Sequence, residues 1–376
     1  MKIVNICFML NEGFGYHENI FPYYQKKVGL EPYIITSIMQ DLKKIKVKEG
    51  KYEEKGIPVI RLKYSWKQGQ RFIKLKGLTE VLLKIKPDII YIHSIIPINL
   101  YEIVKYKKKY GCKLIIDNHA DLDNSARNIL WRIGFYNIFL RGLYKVFDKY
   151  IDRYYGVTPY RIDFLINEIG IKKEKIGFLP QGYDNEEVEK VKKEVDFFKR
   201  NYNLEINETD IKIVFGGKID SWKCFDNVIL SLKSLKNKKI KLIIFGVINC
   251  PKIKRLIEEN SEWIFFLGWK KGEEKYKILQ NSDIAIWPKY HTTLIEDCIG
   301  AELPLIIFKN RNSEYFLEEG NGIFLKDESI ESIVEAVQEI INDNNLEYYK
   351  VRASFAKEKL SYENIGREFL KELKKL

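Results

Sequence analysis

The strongest constraint on this chain is a rhythm. Short apolar, β-branched runs alternate with stretches whose apolar residues recur every three or four positions. In the first half, Ile3–Leu10, Pro32–Ser37, Pro58–Leu62, Ile89–Ser94, Lys113–Asp117, Arg153–Val157 and Lys175–Leu179 read as strands. Tyr16–Val28, Leu78–Ile85, Leu100–Tyr110 and Asn128–Tyr150 carry helical periodicity between them. Runs apolar on both faces and separated by helices predict a parallel sheet covered on both sides. The pattern then restarts. Ile211–Phe215, Lys241–Phe245, Trp263–Leu267, Asp283–Trp287, Pro304–Phe308 and Gly322–Leu325 read as strands, with helices at Phe225–Leu235, Lys252–Glu259, Glu273–Gln280, Thr293–Glu302, Ser313–Glu319 and Ile330–Ile341. Two successive α/β units follow, with a junction near Pro180–Lys190 and a charged helical stretch, Asn185–Asn201, opening the second.

Length agrees with two units, since 376 residues at roughly 150 per domain make two or three. Hydrophobic residues at 45% and charged residues at 31% exclude a disordered chain. No run approaches the ~18 apolar residues of a membrane span. Met1–Leu10 is too short for a signal sequence, carries Asn5 and lacks a small-residue cleavage site, so it reads as a first strand. Five scattered cysteines (Cys7, Cys112, Cys224, Cys250, Cys298) without C-x-x-C exclude a disulfide framework and a zinc ribbon, and point to a reducing cytoplasm. Four scattered histidines argue against a histidine metal site. The net charge of +12 is lopsided: residues 1–185 hold 32 Lys and Arg against 19 Asp and Glu, whereas residues 186–376 hold 32 against 33. The first half therefore expects an anionic partner, unless its lysines merely solvate helix faces.

Open parallel sheets bind ligands beyond the C-terminal ends of their strands, and three such segments carry candidate chemistry. Gly13-Phe14-Gly15-Tyr16-His17-Glu18 follows the first strand and opens a helix, a setting in which backbone amides can approach phosphate. Glu18 stands where a dinucleotide fingerprint has its third glycine, and the second strand ends Thr36-Ser37-Ile38 without an acid, which argues against NAD. Gly216-Gly217-Lys218-Ile219-Asp220-Ser221-Trp222-Lys223 offers two cations for a pyrophosphate, where positive charge stabilises a departing nucleoside diphosphate. In Pro288-Lys289-Tyr290-His291-Thr292-Thr293-Leu294-Ile295-Glu296 a strand gives way to a helix whose first amides suit phosphate; Glu296 suits a sugar hydroxyl, or simply complements the helix dipole.

These segments, in this order, resemble the retaining GT-B glycosyltransferases of the family 4, or group 1, type. "KIGFLPQGYD" (175–184) resembles the interdomain strand and its G-x-D linker. "GGKIDSWK" resembles the G-[RK]-x-x-x-x-K segment, and "FLGWKKGEEKYKILQNSDIAIWP" the base-binding turn, helix and strand. "IEDCIGAELPLI" resembles the E-A-M-A-x-G-x-P-V-I helix, and "NSEYFLEEGNGIFLKDESIESIVEAVQEII" the closing segment. The resemblance spans nearly the whole chain. It implies two Rossmann-like domains facing across a cleft: residues 1–183 on the acceptor side, residues 184–361 binding the nucleotide-sugar, and a C-terminal helix, 362–376, crossing back to the first domain.

The resemblance also assigns residues. Lys218 and Lys223 match the basic pair on the donor pyrophosphate, Lys218 replacing the commoner Arg and losing bidentate geometry but not charge. Glu296 matches the second Glu of E-x7-E, which binds the nucleotide ribose. Thr292, Thr293 and Leu294 match backbone positions near the phosphates, with Gly217 beside them. Gly15 matches the glycine-rich first loop, and His119 a histidine beside the donor sugar and reaction centre. The catalytic set expected is thus His119, Lys218 and Lys223. One position departs: Pro288 stands where the first Glu of E-x7-E belongs, and the segment from Pro288 to Glu296 is about four residues shorter than usual. His291 is the candidate substitute at the donor sugar.

Asp121-Leu122-Asp123 is a D-x-D, but the surrounding pattern is wrong for a metal-dependent glycosyltransferase, and Asp123-Asn124-Ser125 reads as a helix N-terminus. No metal and no other cofactor is expected. Basic and aromatic residues concentrate in 63–76 and 128–150, which suit an anionic membrane surface or, for the helix, ordinary core packing. No recognised nucleic-acid motif accompanies the charge, so no nucleic-acid partner is expected. The expectation is a cytoplasmic, membrane-peripheral enzyme that moves a sugar from a nucleotide-sugar, with UDP as the carrier, to a saccharide or lipid-linked saccharide in cell-surface polysaccharide or glycoconjugate synthesis. The alternatives are a non-catalytic GT-B subunit, suggested by Pro288, and a nucleotide-sugar epimerase.

Overall fold

The structure is a computed structural model. It describes every residue except 41–44, 69–71, 97–98, 290–291 and 343–344, with residues 45 and 222 described by backbone alone. By its contacts the chain divides into two compact units, Met1–Pro180 with Ile365–Leu376, and Gln181–Asn364.

The first unit contains β1 (Lys2–Ile6), β2 (Glu31–Ser37), the two-residue strands β3 (Met39–Gln40) and β4 (Ile45–Lys46), then β5 (Gly50–Glu54) and β6 (Ile57–Leu62). A hairpin of β7 (Tyr64–Gln68) and β8 (Phe72–Leu75) precedes β9 (Ile89–Ile92), β10 (Lys113–Asn118), β11 (Arg153–Gly156) and β12 (Ile176–Phe178). Eight strands form one sheet in the order β12-β11-β10-β9-β1-β2-β6-β5, and only the edge strand β5 is antiparallel. Ile3, Val4 and Ile6 of β1 are all fully buried, as helices on both faces require. The helix Leu78–Ile85 buries Leu78, Leu82 and Ile85, one stripe at helical spacing.

Residues alternate across the sheet, so each strand presents two different faces. On one, Val4, Ile6, Ile90, Ile92, Leu114 and Ile116 join the core with Leu82, Ile103 and Tyr144. On the other, the register sets Asn5 beside Tyr91, Tyr91 beside Ile115, and Asp117 beside Tyr155. The helix His17–Lys27 covers this second face, together with the end of the last helix, Tyr362–Leu373. The Phe369 ring lies 5.3 Å from Phe21, 5.5 Å from Tyr91 and 5.8 Å from Tyr155. The closing twelve residues thus belong to the first unit's core.

The second unit holds β13 (Ile211–Ile219), β14 (Ile240–Ile248), β15 (Ile264–Phe266), β16 (Ile284–Trp287), β17 (Leu305–Phe308) and β18 (Gly322–Leu325). They form one parallel sheet in the order β15-β14-β13-β16-β17-β18. Counted from β13 this is the Rossmann order, with its switch point between β13 and β16; the first unit repeats it, with the switch between β1 and β9. Both units are therefore Rossmann-like, as the sequence predicts, and each opens a ligand crevice where its strand order reverses.

Several elements differ from the sequence reading. The expected helix Asn128–Tyr150 is capped by Asn128 and helical from Ile129 on, but not uniform: Ile129–Trp131 is α-helical, Arg132–Leu140 takes the wider π-helical bonding, Arg141–Phe147 returns to α-helix and Asp148–Tyr150 ends in a 3-10 turn. The charged stretch after the junction is two short helices, Asn185–Glu189 and Phe197–Tyr202. Asp123-Asn124-Ser125 is a turn; the helix starts after Asn128, whose side chain accepts from the Trp131 amide at 2.9 Å. Among the described residues no helix is long and apolar enough to cross a membrane.

Candidate active site

At the switch point of the first unit, polar side chains from three strand ends and one helix converge. Asp117, at the end of β10, is fully buried. Its Oδ2 accepts from the Tyr91 hydroxyl at 2.8 Å and lies 2.8 Å from His93 Nδ1; its Oδ1 lies 3.3 Å from His119 Nε2. His93 Nε2 meets Asn5 Oδ1 at 3.1 Å, and the Asn5 and Gln25 amides bond each other reciprocally, at 2.7 and 3.1 Å. His17 packs on the cluster, its ring 5.7 Å from His93 and 6.1 Å from His119. Three of the four histidines are thus gathered around one carboxylate.

The electrostatics follow from burial and charge. Burial alone pushes the Asp117 carboxyl up, but the imidazoles of His119 and His93 hold it far below the usual carboxylate range. Burial, then the neighbouring His93, pushes His17 well below an ordinary histidine. His119 goes the other way: burial opposes its charge, but Asp117 and then Glu18 raise it above the ordinary value. A pocket of about 430 Å³ opens here, lined by Glu18, Ser94, Asn118, His119 and Asn124 on its polar side and by Phe8, Ile95 and Ile96 among its apolar residues. Cys7 also lines it, but burial pushes its thiol up to about 12, so it is no thiolate nucleophile at neutral pH. His17, His93 and Asp117 offer atoms within 4.8 Å of one another, a spacing compatible with a metal ion. Both His93 nitrogens, however, already bond within the cluster.

In the second unit the crevice lies between β13 and β16. Gly216 and Gly217 of β13 lie against the start of the helix Leu294–Gly300. A Cβ built on Gly216 meets Leu294 Cδ1 at 2.9 Å, and one on Gly217 meets it at 3.4 Å, with Thr292 Oγ1 at 4.0 Å. The sequence-predicted Gly217, Thr292, Thr293 and Leu294 are thus neighbours, with Thr293 the cap of that helix. Lys218 is exposed at the strand tip, its ammonium 3.7 Å from Asp220. Lys223 sits half-buried in the 3-10 turn Ser221–Lys223; burial lowers its ammonium, Asp220 opposes this and the charge of Lys218 adds to it. Glu296, 1% exposed, occupies the first turn of Leu294–Gly300. Its neighbour Asp297 pairs elsewhere, with Lys275 at 2.6 Å and the Tyr276 hydroxyl. Pro288 is buried just beyond β16, and His291 lies outside the described residues.

Residues 25–187 match the model of "Glycosyltransferase Family 4", and residues 196–359 match that of "Glycosyl transferases group 1". The chain belongs to the GT-B glycosyltransferases. An uncharacterized glycosyltransferase of Methanocaldococcus jannaschii is 25% identical over 290 residues, covering 73% of this chain and 70% of that one. The processive diacylglycerol alpha-glucosyltransferase of Acholeplasma laidlawii is 24% identical over 220 residues; the match covers 55% of this chain and 62% of that protein. The Anabaena protein Alr3699/HepE, solved with UDP and glucose, has a TM-score of 0.68 at 14% identity, with the whole of both chains covered.

In this glycosyltransferase, Gly15 is exposed in the loop after β1, and a Cβ there meets only Ile20 at 3.7 Å. Gly13, at φ +74°, is the position in that loop that needs glycine. Of the D-x-D acids, Asp121 is held by local structure: it accepts from the Asn124 amide at 2.8 Å and lies 3.4 Å from Arg161 Nε. Sequence reasoning missed Asn5, His17, Tyr91, His93 and Asp117. A signal was present: Asn5, His93 and Asp117 are polar residues near the C-terminal ends of apolar runs, each at the odd-numbered position that shares one sheet face.

Proposed function

We propose that this glycosyltransferase moves a hexosyl group from a UDP-sugar to a saccharide or lipid-linked saccharide, with retention of anomeric configuration, in cell-surface polysaccharide or glycoconjugate synthesis. The observation that carries the reading is the switch point of the second unit, where Gly217 adjoins Thr292 and Leu294, with Lys218 at the strand tip and Lys223 in the turn that follows. In this reading Lys218 and Lys223 neutralise the departing diphosphate. A half-buried lysine with lowered basicity gains most when an anionic ligand supplies the missing countercharge. Glu296 accepts from a ribose hydroxyl, Thr292–Leu294 offer backbone groups to phosphate, and His119 stands beside the donor sugar. The departing phosphate oxygen takes the acceptor proton, and charge neutralisation rests on the lysines without metal or cofactor. The Anabaena neighbour with UDP and glucose, and the Acholeplasma relative named for a diacylglycerol acceptor, support a UDP-hexose and a lipid-borne acceptor.

The acceptor side is read as membrane-facing. Ile129, Leu130, Ile133, Ile138, Phe139 and Val146 are all exposed along residues 129–147, a stretch without a single carboxylate. Arg127, Lys145 and Lys149 are exposed beside them. The hairpin β7–β8 packs on this helix through Phe72, whose ring lies 5.3 Å from Phe135, and it exposes Trp66; part of the basic 63–76 segment, 69–71, lies outside the described residues. Apolar residues rimmed by cations suit an anionic bilayer surface on the cytoplasmic side, and not a nucleic acid. Pro288 in place of a donor-sugar glutamate favours one second reading, a GT-B subunit that binds nucleotide without turnover.

A thermal-shift panel with UDP, GDP, ADP and NAD, on wild type and Lys223→Ala, tests the donor site. UDP at ~100 times its Kd adds about 2.7 kcal/mol of stability, and the variant is expected to lose most of that shift. A shift with NAD alone would sink the reading; a UDP shift without turnover of any UDP-hexose would favour the subunit.

A further inference from the structure

A carboxylate buried as completely as Asp117 needs compensating positive charge, since an unpaired buried charge is strongly disfavoured. Its Oδ2 is met by the Tyr91 hydroxyl and His93 Nδ1, while its Oδ1 accepts no hydrogen bond among the described residues and faces His119 Nε2 as an ion pair at 3.3 Å. His93 is fixed at both ring nitrogens and sits in the sheet interior, with its side chain 0% exposed. Both histidines line the 430 Å³ pocket, but His119 differs in that its side chain is 27% exposed. With Nε2 turned to Asp117, Nδ1 is the ring nitrogen left for a ligand. We propose that Asp117 is a positioning residue: its buried charge, 3.3 Å from Nε2, anchors that edge of the His119 ring and leaves Nδ1 to meet the oxygen atoms of a bound sugar or phosphate.

The surroundings agree. The groups facing the His119 ring are Asp117 from β10, His17 and Glu18 from the helix after β1, and Arg161 from the helix Pro159–Phe164. Asp117 and Glu18 favour positive charge on it. Arg161 opposes it, but lies 3.4 Å from Asp121, which offsets its field. His17 is close enough to repel an imidazolium, yet burial holds His17 neutral, so that repulsion is absent. The arrangement favours positive charge on the His119 ring at the pocket wall, and so a ligand bearing several oxygen acceptors over an apolar one.

The proposal rests on the reading that His119 stands at the reacting sugar, and its test separates the two. In the full chain labelled with 15N-histidine, the His119 imidazole is assigned by His119→Gln and titrated by NMR. Its midpoint is expected above the ordinary ~6.5. In Asp117→Asn it should fall by roughly one to three pH units, the range for loss of an adjacent opposite charge. Tyr91→Phe, which removes a donor from the same carboxylate and concentrates its charge, should move the midpoint upward. Opposite signs from the two variants are not expected of a merely structural network. If Asp117→Asn does not fold, the upward shift in Tyr91→Phe still decides the matter. Where UDP-sugar turnover is measured, the alkaline limb of kcat should move to lower pH in Asp117→Asn. An unmoved His119 midpoint in either variant overturns the positioning role, whatever the turnover. A moved midpoint in a chain that turns over no UDP-sugar upholds the Asp117–His119 link and overturns the reading of the reaction.

Discussion

Gly217 and Gly246 stand opposite each other at the tips of β13 and β14, with φ of +107° and +130°. A Cβ on Gly246 would lie 1.9 Å from the Gly217 carbonyl oxygen, so Gly246→Ala must move the backbone beside the proposed nucleotide site. The left-handed backbone alone costs about 1–3 kcal/mol, and the clash adds to it. Urea unfolding should show a loss of at least about 2 kcal/mol, together with a weakened UDP shift. Gly142→Ala is the control: it is helical with nothing within 4 Å, and is expected to gain roughly 0.5–1 kcal/mol. Equal effects of the two would refute the argument from close approach. At this scale the candidate donor residues could be named from sequence because their motif is local: Lys218, Lys223, Thr292 and Glu296 sit within short segments at or after strand ends. The Asp117 cluster was not. Asn5 and His93 are 88 residues apart, and only the parallel register of β1 and β9 sets them side by side.

Among elements, the strands buried on both faces announce themselves, and the sequence located every parallel one. It missed those whose stability comes from packing on a neighbour. The hairpin β7–β8 has largely polar strands and leans on Trp131 and Phe135 through Phe72. The helix Asn345–Lys359 buries only Ala353 and Ala356, too little for a visible apolar stripe. The helix beginning Pro159–Phe164 starts at a Thr-Pro and ends at Gly170 in the left-handed region, but its Phe-Leu-Ile core reads equally as a strand. The helix over 129–147 carries the membrane prediction. Replacing both Ile138 and Phe139 by Glu should lower affinity for anionic vesicles at least tenfold, because each exposed apolar side chain contributes about 1.5–3 kcal/mol when buried. Neither residue is in the core, so the melting temperature should hold. Unchanged sedimentation with vesicles would show that this face meets something else.

For the molecule as a whole, the decisive feature is that the first unit is made from two pieces of chain. Phe369, 1% exposed, stacks among Phe21, Tyr91 and Tyr155, and the Tyr155 hydroxyl donates to Glu372 at 2.7 Å. Phe369→Ala should destabilise that unit by about 3–5 kcal/mol, seen by calorimetry, while UDP affinity by titration stays within about twofold because the proposed nucleotide site lies in the other unit. A tenfold loss of UDP affinity would contradict that separation. This arrangement has a consequence during synthesis. The ribosome must add the whole of Gln181–Asn364 before it can deliver the helix that closes the first sheet. At about 5–20 residues per second that is an interval of roughly 10–40 s. Throughout it Tyr91, Tyr155 and Phe21 have emerged without their cap, so the nascent first unit keeps an apolar face uncovered until Ile365–Leu376 follows.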